Sequence, residues 1–199
     1  LSQSRNLAVE AGTGVGKSMA YLIPLAYAAK ENGITVGVAT KTNALLDQLV
    51  HKELPLLHKA LGITYAPLKG FSHYPCLRKI ETLVNQGPKT IVYKKQPIDQ
   101  TPSLAALLSF VEQSDYDDMD ALKIDYRAIP RRRITTSSAE CLRRKCPFFG
   151  RSCFVHGARE QAQRCDVVVT NHSLLFWDVR FEGGLLPPIR YWVVDEAHG

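Results

Sequence analysis

The run Ala11-Gly12-Thr13-Gly14-Val15-Gly16-Lys17-Ser18 constrains the fold of this 199-residue chain more than any other feature. It has Walker A spacing, with alanine at the usual first glycine, and that motif works between a strand and a helix. Residues 6–11 read as a short buried strand, and a helical pattern follows over 17–30. Gly12, Thr13, Gly14, Val15 and Gly16 would turn backbone N–H groups inward around phosphates, with the partial positive charge of the helix N-terminus behind them. Lys17 would reach the β and γ phosphates of ATP, and Ser18 would offer its hydroxyl to Mg²⁺. The other reading, a tight turn without a ligand, is disfavoured by the flanking strand and helix.

Asn32-Gly33 supplies a helix stop, and residues 34–40 (ITVGVAT) are apolar and β-branched enough for a strand buried on both faces. A helix from Asn43 to about His51 and a strand over 63–68 continue the alternation, which predicts an α/β domain with a parallel sheet. The pattern resumes late in the chain, with a helix over 156–164, a strand over 166–170, a short helix from Asn171 and a strand over 191–195. That last strand runs into Asp195-Glu196-Ala197-His198. Two carboxylates thus fall at the carboxyl edge of the sheet, where ligands of such folds bind. Asp195 would hold Mg²⁺ through water, and Glu196 would orient and deprotonate the attacking water. An acidic strand end alone is usually a solvated turn. Paired with the upstream phosphate loop, it makes Lys17, Asp195 and Glu196 the candidate catalytic residues.

Between Cys76 and Cys153 the alternation stops, and fourteen basic residues face nine acidic ones. Thr101-Pro102 reads as an N-cap and first helical position, with Leu104, Leu107, Leu108 and Val111 on one face of the helix that follows. The expected organisation is residues 1–75 and 154–199 as two parts of one domain, interrupted by a small, mostly helical insertion over 76–153. Four of the five cysteines lie there, and in a reducing compartment clustered cysteines point to metal rather than disulfides. Sulfur-only ligation suits Zn²⁺ or an iron–sulfur cluster, and residue types alone do not choose. The intervals of 64, four and six residues between Cys76, Cys141, Cys146 and Cys153 differ from the paired short knuckles of structural zinc sites. So broken an apolar pattern would bury little core, so metal ligation would carry part of the folding free energy. Cys165 reads as a buried structural thiol. Arg143, Arg144 and Lys145 are candidate DNA contacts, because cations that track phosphates beside Phe148, Phe149 and Phe154 make a mix suited to single strands. Phenylalanines packed inward beside a solvated arginine face are the alternative.

The phosphate loop together with Asp-Glu-Ala-His resembles the first motor domain of a superfamily 2 helicase. Residues 69–78 (KGFSHYPCLR), the cysteine spacing and residues 169–175 (VTNHSLL) resemble iron–sulfur helicases of the DinG and XPD type, DinG more closely, over essentially the whole chain. The resemblance implies a RecA-like P-loop motor domain and a [4Fe-4S] cluster on Cys76, Cys141, Cys146 and Cys153, with Zn²⁺ the alternative. Residues 39–49 are similar to that family's motif Ia, which implies that Thr40 and Thr42 lie near the DNA backbone. His198 is implied to couple nucleotide state to DNA contacts. The implied activity is ATP-driven 5′ to 3′ translocation on single-stranded DNA, with unwinding of forked or damaged DNA, in a bacterial cytoplasm.

The family's upstream adenine-recognition segment and second motor domain, with its arginine finger, find no counterpart here. The expectation is therefore an N-terminal fragment with negligible unwinding of its own. A binding module with vestigial hydrolysis is disfavoured by intact Lys17, Asp195 and Glu196. A nuclease would need an added acidic constellation, for which residues 112–120 are the sole candidate and a solvated loop the better account. No apolar stretch is long enough to cross a bilayer, and no leader pattern opens the chain, so a soluble intracellular protein is expected.

Overall fold

The structure, a computed structural model, describes residues 6–12, 16–180 and 184–197. In chain order its elements are α1 (Lys17–Asn32), β1 (Val36–Thr40), α2 (Asn43–Gln48), α3 (Leu54–Leu61), β2 (Tyr65–Pro67), α4 (Leu77–Gln86), β3 (Thr90–Tyr93), β4 (Gln96–Asp99), α5 (Thr101–Gln113), α6 (Phe154–Ala162), β5 (Val167–Asn171), α7 (His172–Arg180) and β6 (Trp192–Val194). Two compact units result, residues 1–69 with 159–199 and residues 70–158.

In the first unit four parallel strands take the order β2-β5-β1-β6. Every residue of β1 is buried, as are Val167 to Thr170 of β5, the continuous apolar run expected of strands covered on both faces. Helix α1 turns Leu22, Leu25, Ala26 and Ala29 into a core shared with Val36, Val38, Leu46, Leu54, Ile63, Val167 and Val169. Gly33, at φ 60, ends α1 in the left-handed conformation that glycine adopts without strain.

Residues 6–12 form no strand: they are exposed, with Leu7 85% and Val9 74% accessible. Beside β1 both places are taken, by β5 and β6, which leaves only the outer edges of β2 and β6, and the segment pairs with neither. The helix predicted from Asn43 to about His51 also runs further. A π-helical stretch over Leu49–Glu53 joins α2 to α3, and this puts Pro55 in the first turn of α3, where its missing N–H breaks no bond.

β1 passes close to β6 because Gly37 has no side chain. A Cβ there would lie 2.4 Å from the Trp192 ring, which is paired across from it. Gly37→Ala is expected to destabilise this unit by about 1–3 kcal/mol, the usual cost of overpacking. Urea denaturation would show it as a lower midpoint, and an unchanged midpoint would contradict the packing described.

The second unit has its own core, built by Ile80 and Leu83 of α4, Leu104 and Leu107 of α5, and Met119, Ala128, Ile129 and Ile134. Leu108 is left 39% exposed, outside the buried stripe. Thr101 and Pro102 occupy the first turn of α5, and the capping carboxylate is Asp99, which accepts from the Thr101 N–H at 2.9 Å and hydroxyl at 2.8 Å. Those bonds hold the Asp99 carboxyl below its ordinary range.

The unit is not all helix and turn: β3 and β4 form an antiparallel hairpin closed by Tyr93 and Gln96. Its two loop residues, Lys94 at φ 48 and Lys95 at φ 67, both take left-handed backbone, which costs a non-glycine residue about 1–2 kcal/mol each. Such two-residue turns prefer Asn-Gly, so a Lys-Lys pair gave no hairpin signal in the sequence.

Candidate nucleotide site and cysteine cavity

The nucleotide-site residues gather at the carboxyl edge of the sheet. The Asp195 N–H donates to the Ala39 carbonyl at 2.8 Å, carrying the β1–β6 ladder one residue past β6 and fixing where the acidic turn begins. Gly16, at φ 77, opens α1 and delivers Lys17 to the same place. The Lys17 ammonium lies 3.0 Å from Asp195 Oδ1 and donates to Glu196 Oε1. Its pKa is raised, chiefly by the Glu196 bond and then by the Asp195 bond. Glu196 itself has φ 56, a left-handed conformation that strains a non-glycine residue, and its N–H returns to Asp195 Oδ1 at 2.9 Å.

Two further residues hold Asp195 in place. Tyr21, one helical turn beyond Lys17 on α1, donates its hydroxyl to Asp195 Oδ2 at 3.1 Å and also bonds with Ser18. Burial pushes the Tyr21 phenol up, and the Asp195 charge adds to the shift. From α7, His172 Nε2 donates to the Asp195 carbonyl at 2.7 Å. In the sequence the signal for Tyr21 is its spacing of four from Lys17, which places it on the same helix face. Ser18 and Asp195 offer hydroxyl and carboxylate oxygens, hard donors of the kind that suit Mg²⁺, and Tyr21 bonds with both of them.

Gly12 lies in the exposed segment before α1, whereas Thr13, Gly14, Val15 and His198 lie outside the described residues. Thr40 is 1% exposed, and its hydroxyl donates to the Thr42 carbonyl at 3.0 Å, so that side chain does not face outward. Thr42 is exposed at the start of α2, where its hydroxyl accepts from the Leu45 N–H. Beside it, Asn171 Nδ2 donates to Asn43 Oδ1 at 2.6 Å, joining the end of β5 to the start of α2.

In the second unit Cys76, Cys141, Cys146 and Cys153 all line one cavity, together with Pro75, Leu77, Leu142, Phe148, Phe149 and Val155. None is in a disulfide. Backbone bonds fix each sulfur's anchor: Cys76 N–H to Ile134 O at 2.7 Å, Cys141 to Ser137 at 3.0 Å, Cys146 to Arg143 at 2.9 Å and Cys153 to Phe148 at 3.0 Å. Burial raises the Cys153 thiol, and the Cys141 and Cys146 sulfurs add to that shift, which places three sulfurs within electrostatic reach of one another. Among the described residues, however, no three His, Cys, Asp or Glu side chains converge closely enough to hold a single metal ion. Cys165 stands apart in the first unit, half-buried, with its thiol raised by burial.

Arg143, Arg144 and Lys145 form an exposed 3₁₀ turn between the second and third of these cysteines. The run 131–133 is largely engaged within the unit: Arg131 pairs with Asp120, the Arg132 carbonyl accepts from Lys79, and Arg133 bonds with Gln86. Phe154 is buried against Phe110, and Phe149 stacks on His156 at 4.1 Å. These two rings pack inward. In the acidic run, Asp120 is also held by His73, and Asp117 accepts from Ser114.

A family model described as DEAD/DEAH box helicase matches residues 1–123. Over 207 residues the chain is 37% identical to the ATP-dependent helicase DinG of Mycobacterium tuberculosis, covering 97% of this chain and 31% of that protein. It is 35% identical over 207 residues to the ATP-dependent DNA helicase YoaA of Escherichia coli, covering 100% and 30% respectively. The YoaA of Haemophilus influenzae is 32% identical over 204 residues, again 100% of this chain and 30% of the relative. The chain spans just under a third of the length of these curated relatives.

Proposed function

We propose, from the premise that this chain belongs to the DEAD/DEAH box helicases, that it supplies the ATP-hydrolysing motor of a DNA helicase with an iron–sulfur insertion. The observation that carries the reading is the meeting of Lys17 with Asp195 and with Glu196, the latter 179 positions away, at the carboxyl edge of one sheet. Lys17 binds the β and γ phosphates in exchange for its two carboxylates, which frees Glu196 to accept a proton. Ser18 and Asp195 would hold Mg²⁺, whose charge neutralises the phosphoryl oxygens. Glu196 then takes the proton of the water that attacks the γ phosphorus, and ADP leaves with the broken bond's electrons. Gly12 to Gly16 would supply backbone N–H groups to the phosphates, and His198 would couple this site to DNA.

Tyr21 acts as a positioning residue for Asp195. Tyr21→Phe is expected to raise the Mg²⁺ concentration needed for half-maximal binding of a fluorescent ATP analogue by about tenfold, as loss of a supporting bond to a metal ligand does. Unchanged Mg²⁺ dependence would remove Tyr21 from the site.

The four cysteines would bind a [4Fe-4S] cluster, which staples the start of α4 to the loop 141–153 and offers a redox-active group. Its support is the shared cavity, lined by all four cysteines, and the sulfur-only donor set, which such clusters take. Single-stranded DNA, in forked or damaged structures, would pass the basic turn at Arg143, Arg144 and Lys145 and the motif around Thr40 and Thr42, with 5′ to 3′ polarity, in the cytoplasm. Among the described residues no helix is long and apolar enough to cross a membrane.

The test is linked binding. The ATP analogue should bind in an Mg²⁺-dependent way, weaken about tenfold or more in Lys17→Ala, and change its affinity when single-stranded DNA is added. Analogue binding indifferent to Lys17 would overturn the reading.

A further inference from the structure

We propose that the tip of the β3–β4 hairpin is a second contact for single-stranded nucleic acid, with Lys94 and Lys95 on backbone phosphates and the Tyr93 ring stacked on a base. The inference rests on the DNA-helicase reading and adds a surface that neither the basic turn at Arg143–Lys145 nor the motif near Thr42 includes.

The hairpin projects from its unit. Val92 is 75% and Tyr93 41% exposed, Gln96 and Pro97 are exposed, and only Ile91 and Ile98 are partly covered. A two-stranded ribbon with both faces so open gains little from burial in water. Its loop then works against it, since Lys94 and Lys95 both hold left-handed backbone that Asn-Gly would adopt without strain. Local conformation therefore does not account for two lysines at this turn, and what they add to it is their charge.

Charge and chemistry indicate what that role is. The Lys94 ammonium lies 5.7 Å from the Tyr93 ring centroid, whereas Arg127 is taken up by its pairing with Asp125. Lys89 leads into the hairpin. The one carboxylate of the ribbon, Asp99, stands at its far end and is occupied in capping α5. The tip is therefore cationic, with an exposed aromatic ring set among the charges, which is the combination that tracks a single strand: cations on phosphates and a ring on a base. An anionic lipid or an acidic protein matches the charge but offers no base to stack.

The experiment is fluorescence anisotropy of a labelled oligothymidylate with the parent protein and hairpin variants, titrated at several salt concentrations between about 50 and 200 mM. Replacing the loop by its favoured pair, Lys94→Asn with Lys95→Gly, keeps the hairpin folded while removing both charges. That variant should bind about tenfold more weakly at 0.1 M salt, and its log–log salt slope should fall by about 1.4, two phosphate contacts' worth. Tyr93→Phe should match the parent, and Tyr93→Ala should bind about tenfold more weakly. Binding of the ATP analogue should be the same in all of them. If the parent binds the oligonucleotide and the loop variant keeps its affinity and slope, the hairpin proposal falls and the helicase reading stands. A parent that binds no oligonucleotide at low salt removes both. Tyr93→Ala with parental affinity would overturn the stacking contact.

Discussion

Glu196→Gln should lower ATP turnover by about 10²–10⁴-fold, the range for losing a positioned general base, while leaving nucleotide binding intact. The amide keeps the shape of the side chain and its place in the strained turn at φ 56, but it cannot accept the proton of the attacking water. Lys17, relieved of one of its two carboxylates, is as available to phosphates as before or more so. The effect should therefore appear in kcat rather than in affinity. Phosphate release under saturating ATP, run beside an analogue titration, separates the two. A variant that loses binding and keeps turnover per bound nucleotide would reassign Glu196 from proton acceptor to phosphate-site scaffold.

Cys146→Ser carries the next largest expected effect, and on a different unit. Parent protein purified without oxygen should contain about four irons per chain and be brown, and the serine variant should lose both. Because the cavity brings together Cys76 at the start of α4 and three anchors on the loop 141–153, losing the staple should also loosen that loop. Limited proteolysis should cut the variant between 136 and 153, while Mg²⁺-dependent analogue binding by the other unit persists. One zinc per chain in the parent, or iron retained in the variant, would withdraw the cluster assignment.

How much of this could be read beforehand depended on the length scale of the cause. The strands at 36–40, 167–171 and 192–194 were legible because burial on both faces forces an unbroken apolar run, and their carboxyl ends then put Asp195 beside Lys17. Cys76 and the later three cysteines were legible as a set by residue type and spacing. The strand expected at 6–11 did not form, because an apolar run signals a capacity to pair and not which ladder it joins: β5 and β6 flank β1, and the segment stays exposed. The inward turn of the Thr40 hydroxyl, toward the Thr170 carbonyl of β5, comes from burial that the motif does not encode. Tyr21 looked like one more aromatic on an apolar helix face, and only the fold shows its hydroxyl reaching Asp195. The hairpin escaped because its turn residues contradict their own backbone.

The register of the sheet also has a consequence for how the protein is made. Val36 pairs with Val167 and Val38 with Val193, so β1 waits for partners synthesised more than a hundred residues later. At about 5–20 residues per second, a ribosome leaves that apolar strand without a ladder for about 7–26 s. Everything in the unit of residues 70–158 emerges during that interval, with contacts that close among themselves. Synthesis therefore favours an order in which the cysteine-bearing unit, its helices and its hairpin mature first, and the motor sheet closes only as β5 and then β6 leave the ribosome.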